Sequence, residues 1–165
     1  MSLAIGLLIV LFAVVAQASV MPGFSIFGVQ PNLVIVLLVA WMAVRGRREV
    51  LFLIPAAGFA QGLLDSQPLG LAMLALAPLI LMTDVRELRL VESDLLPAVG
   101  LVALATLVFE GTVLLTLAVT GNHPDWLASV LDVLVPAAIA NVLLLLPVYG
   151  LIRVASVDLR RRPAF

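Results

Sequence analysis

Residues 30–71 of this 165-residue chain read QPNLVIVLLVAWMAVRGRREVLFLIPAAGFAQGLLDSQPLGL. One apolar run ends at three arginines, and a second apolar run follows them and ends at the short polar turn Asp65-Ser66-Gln67. Apolar runs bounded in this way are typical of antiparallel helices in a membrane. The stretch therefore predicts two membrane helices, over about 31–45 and 49–65, and a third that begins near residue 68.

The arginines extend this pattern to the whole chain. All nine basic residues are arginines, and long intervals without any basic residue separate three groups of them. Arginine marks short cytoplasmic loops, because a cationic side chain resists translocation across the membrane. Each interval should therefore leave the cytoplasm and return, which predicts six spans with both termini in the cytoplasm. The groups are Arg45, Arg47 and Arg48; Arg86 and Arg89; and Arg153, Arg160, Arg161 and Arg162.

Composition supports the same class of protein. Hydrophobic residues make up 64% of the chain and charged residues 12%, which lies well outside the range of water-soluble domains. We expect an all-α polytopic membrane protein, folded as a six-helix transmembrane bundle in one domain over residues 1–165. The predicted spans are about 3–20, 31–45, 49–65, 68–83, 95–120 and 128–154.

The first predicted helix has an alternative interpretation as a cleaved signal peptide. Ala16-Gln17-Ala18 resembles a signal-peptidase site. The segment lacks a positively charged start, however, and its apolar run is long. We favour a helix that is retained in the mature protein.

Two residues suggest how the second predicted helix sits in the membrane. Pro31 suits the first turn of a helix, where its missing N–H is not needed. Trp41 lies near the predicted inner end, where an amphipathic ring anchors well at the membrane interface.

The third predicted helix carries small and polar residues on one face. Gly58, Gln61, Gly62 and Asp65 share this face at helical spacing. Gly58 and Gly62 form a pair of small residues four positions apart, which lets another helix approach closely. One interpretation is packing against the second or fourth helix of the same chain. The other is that the face shapes a cavity or docks a partner.

Glu110 is the only acidic residue deep inside a predicted span. An ionisable side chain in the bilayer is costly unless it is paired or protonated. Asn141 lies at a comparable distance from the outer turn on the neighbouring antiparallel helix, so we expect the two residues at similar depth, with a hydrogen bond between them. Three roles stay open for Glu110: a proton relay, a ligand contact or a polar anchor for another subunit. A relay would need further titratable groups at intermediate depths, and the sequence shows none, so an anchor is favoured.

The sequence carries no recognisable catalytic or metal-binding motif. It has no cysteine, no lysine and no HExxH pattern, and its single histidine, His123, falls in a predicted outer turn. A serine nucleophile therefore has no base within reach. We expect a protein that is not an enzyme and that needs no cofactor or metal.

Residues 30–85 resemble the rod shape-determining protein MreD family. Each motif alone is common in membrane proteins, but their order and spacing together are fairly specific. The motifs are Pro31-Asn32-Leu33, Arg45-Gly46-Arg47, Gly58-Phe59-Ala60-Gln61-Gly62-Leu63-Leu64-Asp65 and Pro68-Leu69-Gly70-Leu71. Together with the deep polar residues, they supply the helix-packing or partner candidates Gly58, Gln61, Gly62, Asp65, Pro68, Gly70, Glu110 and Asn141.

The resemblance implies a scaffold of the cell-elongation machinery in the bacterial cytoplasmic membrane. Such a protein binds MreC, which links it to the RodA glycosyltransferase, a class B penicillin-binding transpeptidase and MreB. It would contact membrane lipid and no nucleic acid. The resemblance also implies a fold similar to the substrate-binding subunits of energy-coupling-factor transporters.

That similarity leaves a second hypothesis, a substrate-binding subunit of a vitamin or small-molecule transporter. It predicts a polar pocket near the outer face and an Ala-xxx-Ala docking stripe on the first helix. Ala4 is followed four positions later by Leu8, and Ala13 by Gln17, so the stripe is missing. The predicted outer loops are also short and poor in polar groups that could hold a vitamin.

Overall fold

A computed structural model describes residues 3–26, 28–45, 47–64, 70–82, 95–121 and 125–161, and these residues form helices and turns without a β-strand. A 3-10 turn at Met21–Gly23 follows the first helix, and a π-helical turn at Val130–Leu134 joins the last two helices. The helices are α1 Leu3–Ser19, α2 Leu33–Arg45, α3 Arg47–Leu64, α4 Leu71–Leu76, α5 Pro78–Met82, α6 Leu95–Val119, α7 Trp126–Ser129 and α8 Val135–Arg161.

The predicted all-helical fold is confirmed, and helices occupy all six predicted segments. Pro78 divides the fourth segment into α4 and α5, because proline cannot donate the backbone hydrogen bond that would continue α4. By length and composition, α6 and the combined helix Trp126–Ala155 can cross a membrane, whereas α1, α2 and Leu71–Leu81 are shorter apolar helices. The number of crossings and the side of the termini stay predictions.

Helix α2 forms the centre of the bundle. All ten residues from Val34 to Ala43 are buried, and α2 packs against α1, α3, α6 and α8. A helix that is apolar on every side is stable only where neighbours cover its whole circumference. These four helices are themselves linked by contacts in the order α1, α3, α6 and α8, with α4 between α3 and α6, so most of the molecule wraps around α2.

The prediction that Trp41 anchors at a lipid interface is wrong. Trp41 is 2% exposed, and its Nε1–H donates a hydrogen bond of 3.0 Å to Glu49 Oε2. Arg45 pairs with the same carboxylate at 3.6 Å, and its guanidinium carbon lies 5.8 Å from the Trp41 ring centroid. Because Trp41 lies on the central helix, its polar atom bonds to a side chain of the neighbouring helix α3 and its ring packs within the protein.

The outer helices expose large apolar side chains. Phe12 on α1 is 75% exposed, Leu151 on α8 is 72% exposed, and Val119 on α6 is 81% exposed. So many exposed large apolar side chains are unusual in water-soluble monomers and suit contact with lipid or with other membrane helices. The surface therefore supports a membrane protein.

Two ends of the bundle are used as landmarks below. At the Asn32 end, α1 and α3 finish at Ser19 and Leu64, and α2 and α4 begin. The Arg45 end lies opposite, where α2 meets α3. The arginine pattern predicts that the Asn32 end faces outward and that the Arg45 end faces the cytoplasm.

Candidate functional site

The candidate site is built around the buried start of α2. The first backbone N–H groups of a helix have no partner within the helix, so a buried start needs side chains to accept from them. Asn32 is the N-cap: its Oδ1 accepts from Ile35 N at 3.2 Å, and Asn141 Oδ1 accepts from Asn32 N at 2.6 Å. The cap makes the helix begin at Leu33, so Pro31 precedes the helix instead of lying in its first turn as predicted.

Gln17 at the end of α1 completes this cap. Its Oε1 accepts from Leu33 N at 2.7 Å, and its Nε2 donates to the Pro31 carbonyl at 3.2 Å. One side-chain amide thus ties the last turn of α1 to the entrance of α2. The Ala16-Gln17-Ala18 sequence is therefore part of the folded bundle, and retention of this helix in the mature protein stays a prediction.

The expected hydrogen bond between Glu110 and Asn141 is not formed. Asn141 is fully buried, and its Nδ2 donates to Thr106 Oγ1 at 2.8 Å while its Oδ1 is bonded to Asn32. Thr106 precedes Glu110 by one helical turn on α6. The predicted similarity in depth therefore holds to within a turn, but α2 and Thr106 already use both ends of the Asn141 amide.

A cleft of about 440 Å³ opens above this cap at the Asn32 end. The ends of α1 and α3, the start of α4 and an inner stretch of α6 surround it, together with the segment that connects α1 to α2. Its polar lining is Gln17, Gln30, Asn32, Gln61 and Glu110, and its apolar lining is Ala18, Pro22, Leu64, Ala72, Phe109 and Val113. The volume lies within the range of about 300–1,000 Å³ that is usual for small-molecule sites.

Gln61 on α3 and Glu110 on α6 both line the cleft. Gln61 is 5% exposed, and its Oε1 accepts no hydrogen bond from the part of the chain that the structure describes. Glu110 is half-buried. The structure thus brings together two of the predicted site residues, one from α3 and one from α6, although the sequence placed them in separate hypotheses.

The glycine pair on α3 is used within the chain. A Cβ atom on Gly58 would lie 2.7 Å from Met73 Cα, so α4 crosses directly over this residue. A Cβ on Gly62 would lie 3.6 Å from Gly70 N, which is an ordinary contact. Gly70 itself begins α4 with a left-handed backbone, φ 95°, that favours glycine. The predicted candidates Asp65 and Pro68 lie outside the described residues.

Sequence reasoning missed the capping residues and the polar lining of the cleft. Asn32 follows a proline and precedes an apolar run, which is a recognisable N-cap signal. Gln17 was interpreted only as part of a cleavage motif, and Thr106 carried no signal at all. The scarcity of suitable polar groups in the predicted outer loops gave no indication of the cleft, because helix residues such as Gln17, Gln61 and Glu110 supply much of its polar lining.

Comparison with known proteins gives one match. Neither curated proteins nor solved structures produced a match to the chain. The family model for the rod shape-determining protein MreD matches residues 1–155, which is nearly the whole chain. This match extends the resemblance well beyond residues 30–85, and it shows that the chain belongs to the rod shape-determining protein MreD family.

Proposed function

We propose that this protein is a multi-pass scaffold of the bacterial cytoplasmic membrane that binds MreC and thereby helps to regulate peptidoglycan synthesis during cell elongation. RodA, a class B penicillin-binding transpeptidase and MreB belong to the same proposed complex. The observation that carries the proposal is the family match over residues 1–155, because the MreD family implies a role in rod-shape determination.

The packing of the bundle narrows where a partner helix can bind. Membrane helices associate through close van der Waals packing and hydrogen bonds. The glycine face of α3 meets α4 at Gly58, so it is occupied by the chain itself. We therefore expect the membrane helix of MreC to pack on an apolar surface that points away from the bundle. The candidates are the exposed sides of α1, α3, α6 and α8.

One observation favours the second candidate function, a small-molecule-binding subunit of a transporter. The cleft at the Asn32 end has the polar lining that this hypothesis predicts. The exposed side of α1, however, carries the bulky residues Leu8, Leu11 and Phe12, which are all at least half exposed. It lacks the small-residue stripe expected for docking to a coupling subunit, so the scaffold remains the preferred proposal.

Site-specific photocrosslinking tests the scaffold. A photoreactive phenylalanine analogue replaces one exposed residue on each of the four candidate helices: Phe12 on α1, Phe59 on α3, Leu104 on α6 and Leu143 on α8. We expect adducts with MreC from one or two adjacent helices and none from the others. As a control, the membrane helix of MreC is replaced by an unrelated apolar helix, which should abolish the adducts.

The absence of MreC adducts at all four positions would contradict this binding mode. A second contradiction would be adducts of equal yield with the unrelated helix, because such adducts would report only random encounters in the membrane. Cell shape provides the functional readout: deletion of the gene should produce round cells, and the native chain should restore rods.

A further inference from the structure

One residue of the cleft lining carries a buried hydrogen-bond acceptor that lacks a donor in the described part of the chain. Gln61 lines the cleft and is 5% exposed, and no described residue donates a hydrogen bond to its Oε1. Buried side-chain carbonyl oxygens are nearly always hydrogen-bonded, because desolvation without a partner is costly. In this rotamer Oε1 has almost no accessible surface, so a group in the cleft reaches the oxygen only after the Gln61 amide turns over.

Glu110 places a second acceptor in the same cleft. It reaches the cleft from α6, whereas Gln61 reaches it from α3. Among the residues that the structure describes, Glu110 forms neither a hydrogen bond nor an ion pair, and the cleft lining includes no arginine. A carboxyl group inside a helix bundle is stabilised by a cation or by a proton.

The walls of the cleft complement these two acceptors. Phe109 and Val113 flank Glu110 on α6, and Leu64 lies one turn beyond Gln61 at the end of α3. A ligand that fits this lining carries N–H donors at one end and apolar carbon along the rest. A compact ammonium or guanidinium group on a short alkyl chain has this distribution.

We propose that the cleft binds an organic cation with N–H donors, a primary ammonium or a guanidinium group, which pairs with Glu110 and, once the amide has turned over, donates a hydrogen bond to Gln61 Oε1. The group belongs either to a free amine or to a lysine or arginine side chain of a membrane partner. The second source rests on the scaffold function proposed above, whereas the first does not.

Thermal unfolding of the purified chain in detergent tests the site. At about 20 mM, n-butylammonium chloride should raise the Tm by about 3 °C relative to the same concentration of tetramethylammonium chloride. The two cations carry the same charge, but only n-butylammonium has N–H donors. Glu110→Gln and Gln61→Leu should each reduce this difference to less than about 1 °C.

Asp132→Asn provides the matched control, because it also removes a carboxylate but lies on the exposed π-helical turn outside the cleft. This variant should keep the full response. Glu110→Gln is nearly isosteric and decides the outcome if Gln61→Leu does not fold. An equal Tm with both cations in the native chain overturns the proposal, and so does an unchanged response in Glu110→Gln.

Capture of MreC from detergent-solubilised membranes distinguishes the two sources of the cation. Capture reduced by about tenfold in Glu110→Gln, but not in Asp132→Asn, assigns the cation to a side chain of the partner. Equal capture by both variants assigns it to a free amine. The Tm experiment contains no MreC, so its failure contradicts the cleft proposal alone, and failed capture by the native chain contradicts the scaffold alone.

Discussion

Gly58 and Gly62 look equivalent in sequence, but their surroundings differ. The backbone of α4 lies where a Gly58 side chain would project, whereas Gly62 has room for one more carbon. We predict that Gly58→Ala forces α3 and α4 apart and costs about 2 kcal/mol, as overpacking of tight interfaces usually does. Thermal unfolding in detergent should show a Tm about 5 °C below that of the native chain.

Gly62→Ala is the matched control for this prediction. Its new methyl group meets Gly70 at ordinary contact distance, and alanine is the better helix former, so the Tm should stay unchanged or rise slightly. Equal losses of stability in the two variants would show that α4 does not lie closest at Gly58. A face of small residues was predictable from sequence spacing, but the depth at which the opposing helix crosses was not, because that depth depends on the path of α4.

At the scale of the secondary-structure elements, the start of α2 explains why a polar residue lies at the fully buried position 141. Asn141→Leu leaves the Asn32 N–H buried without an acceptor, which costs about 1–3 kcal/mol. We predict a Tm about 5 °C lower in detergent. Relative to the native chain, hydrogen exchange in this variant should also become faster in the first turn of α2, and less so in the middle of the helix, because that turn loses its cap.

Thr112→Val is the control for the capping argument. The Thr112 hydroxyl donates only to the Val108 carbonyl one turn earlier on α6, and it has no part in the cap. Its replacement should change neither the Tm nor exchange in α2 by a measurable amount. If Thr112→Val destabilised the chain as much as Asn141→Leu, loss of any polar group in the bundle would explain both results, and the cap would lose its special role.

Element positions were predictable to within a few residues because apolar runs, prolines and arginines bound them in the sequence. The interior of the bundle was less accessible to this reasoning. Hydropathy showed that α2 is apolar all round, but not that four other helices cover it, so Trp41 was assigned to the membrane interface. The cleft was missed for a related reason: residues distant in sequence, such as Gln17, Gln61 and Glu110, line it only once the helices pack.

At the scale of the whole molecule, orientation still rests on the arginines. The Asn32 end contains the cap and the cleft, and the Arg45 end contains the pair of Arg45 with Glu49. Translocation disfavours arginine-rich loops, so the first end should face outward and the second should face the cytoplasm. An outward-facing cleft would be reached by solutes and by domains outside the membrane, whereas an inward-facing one would be reached only from the cytoplasm.

The absence of cysteine makes this orientation directly measurable, because the native chain already serves as a background without thiols. Thr120→Cys places an exposed thiol at the Asn32 end, and Ala155→Cys places one toward the Arg45 end without removing any arginine. A membrane-impermeant maleimide applied to intact spheroplasts should label Thr120→Cys at once and Ala155→Cys only after permeabilisation. The opposite pattern would invert the bundle and turn the cleft toward the cytoplasm. Labelling of both positions from outside would mean that α8 does not cross the membrane between them, and the predicted six spans would then be wrong.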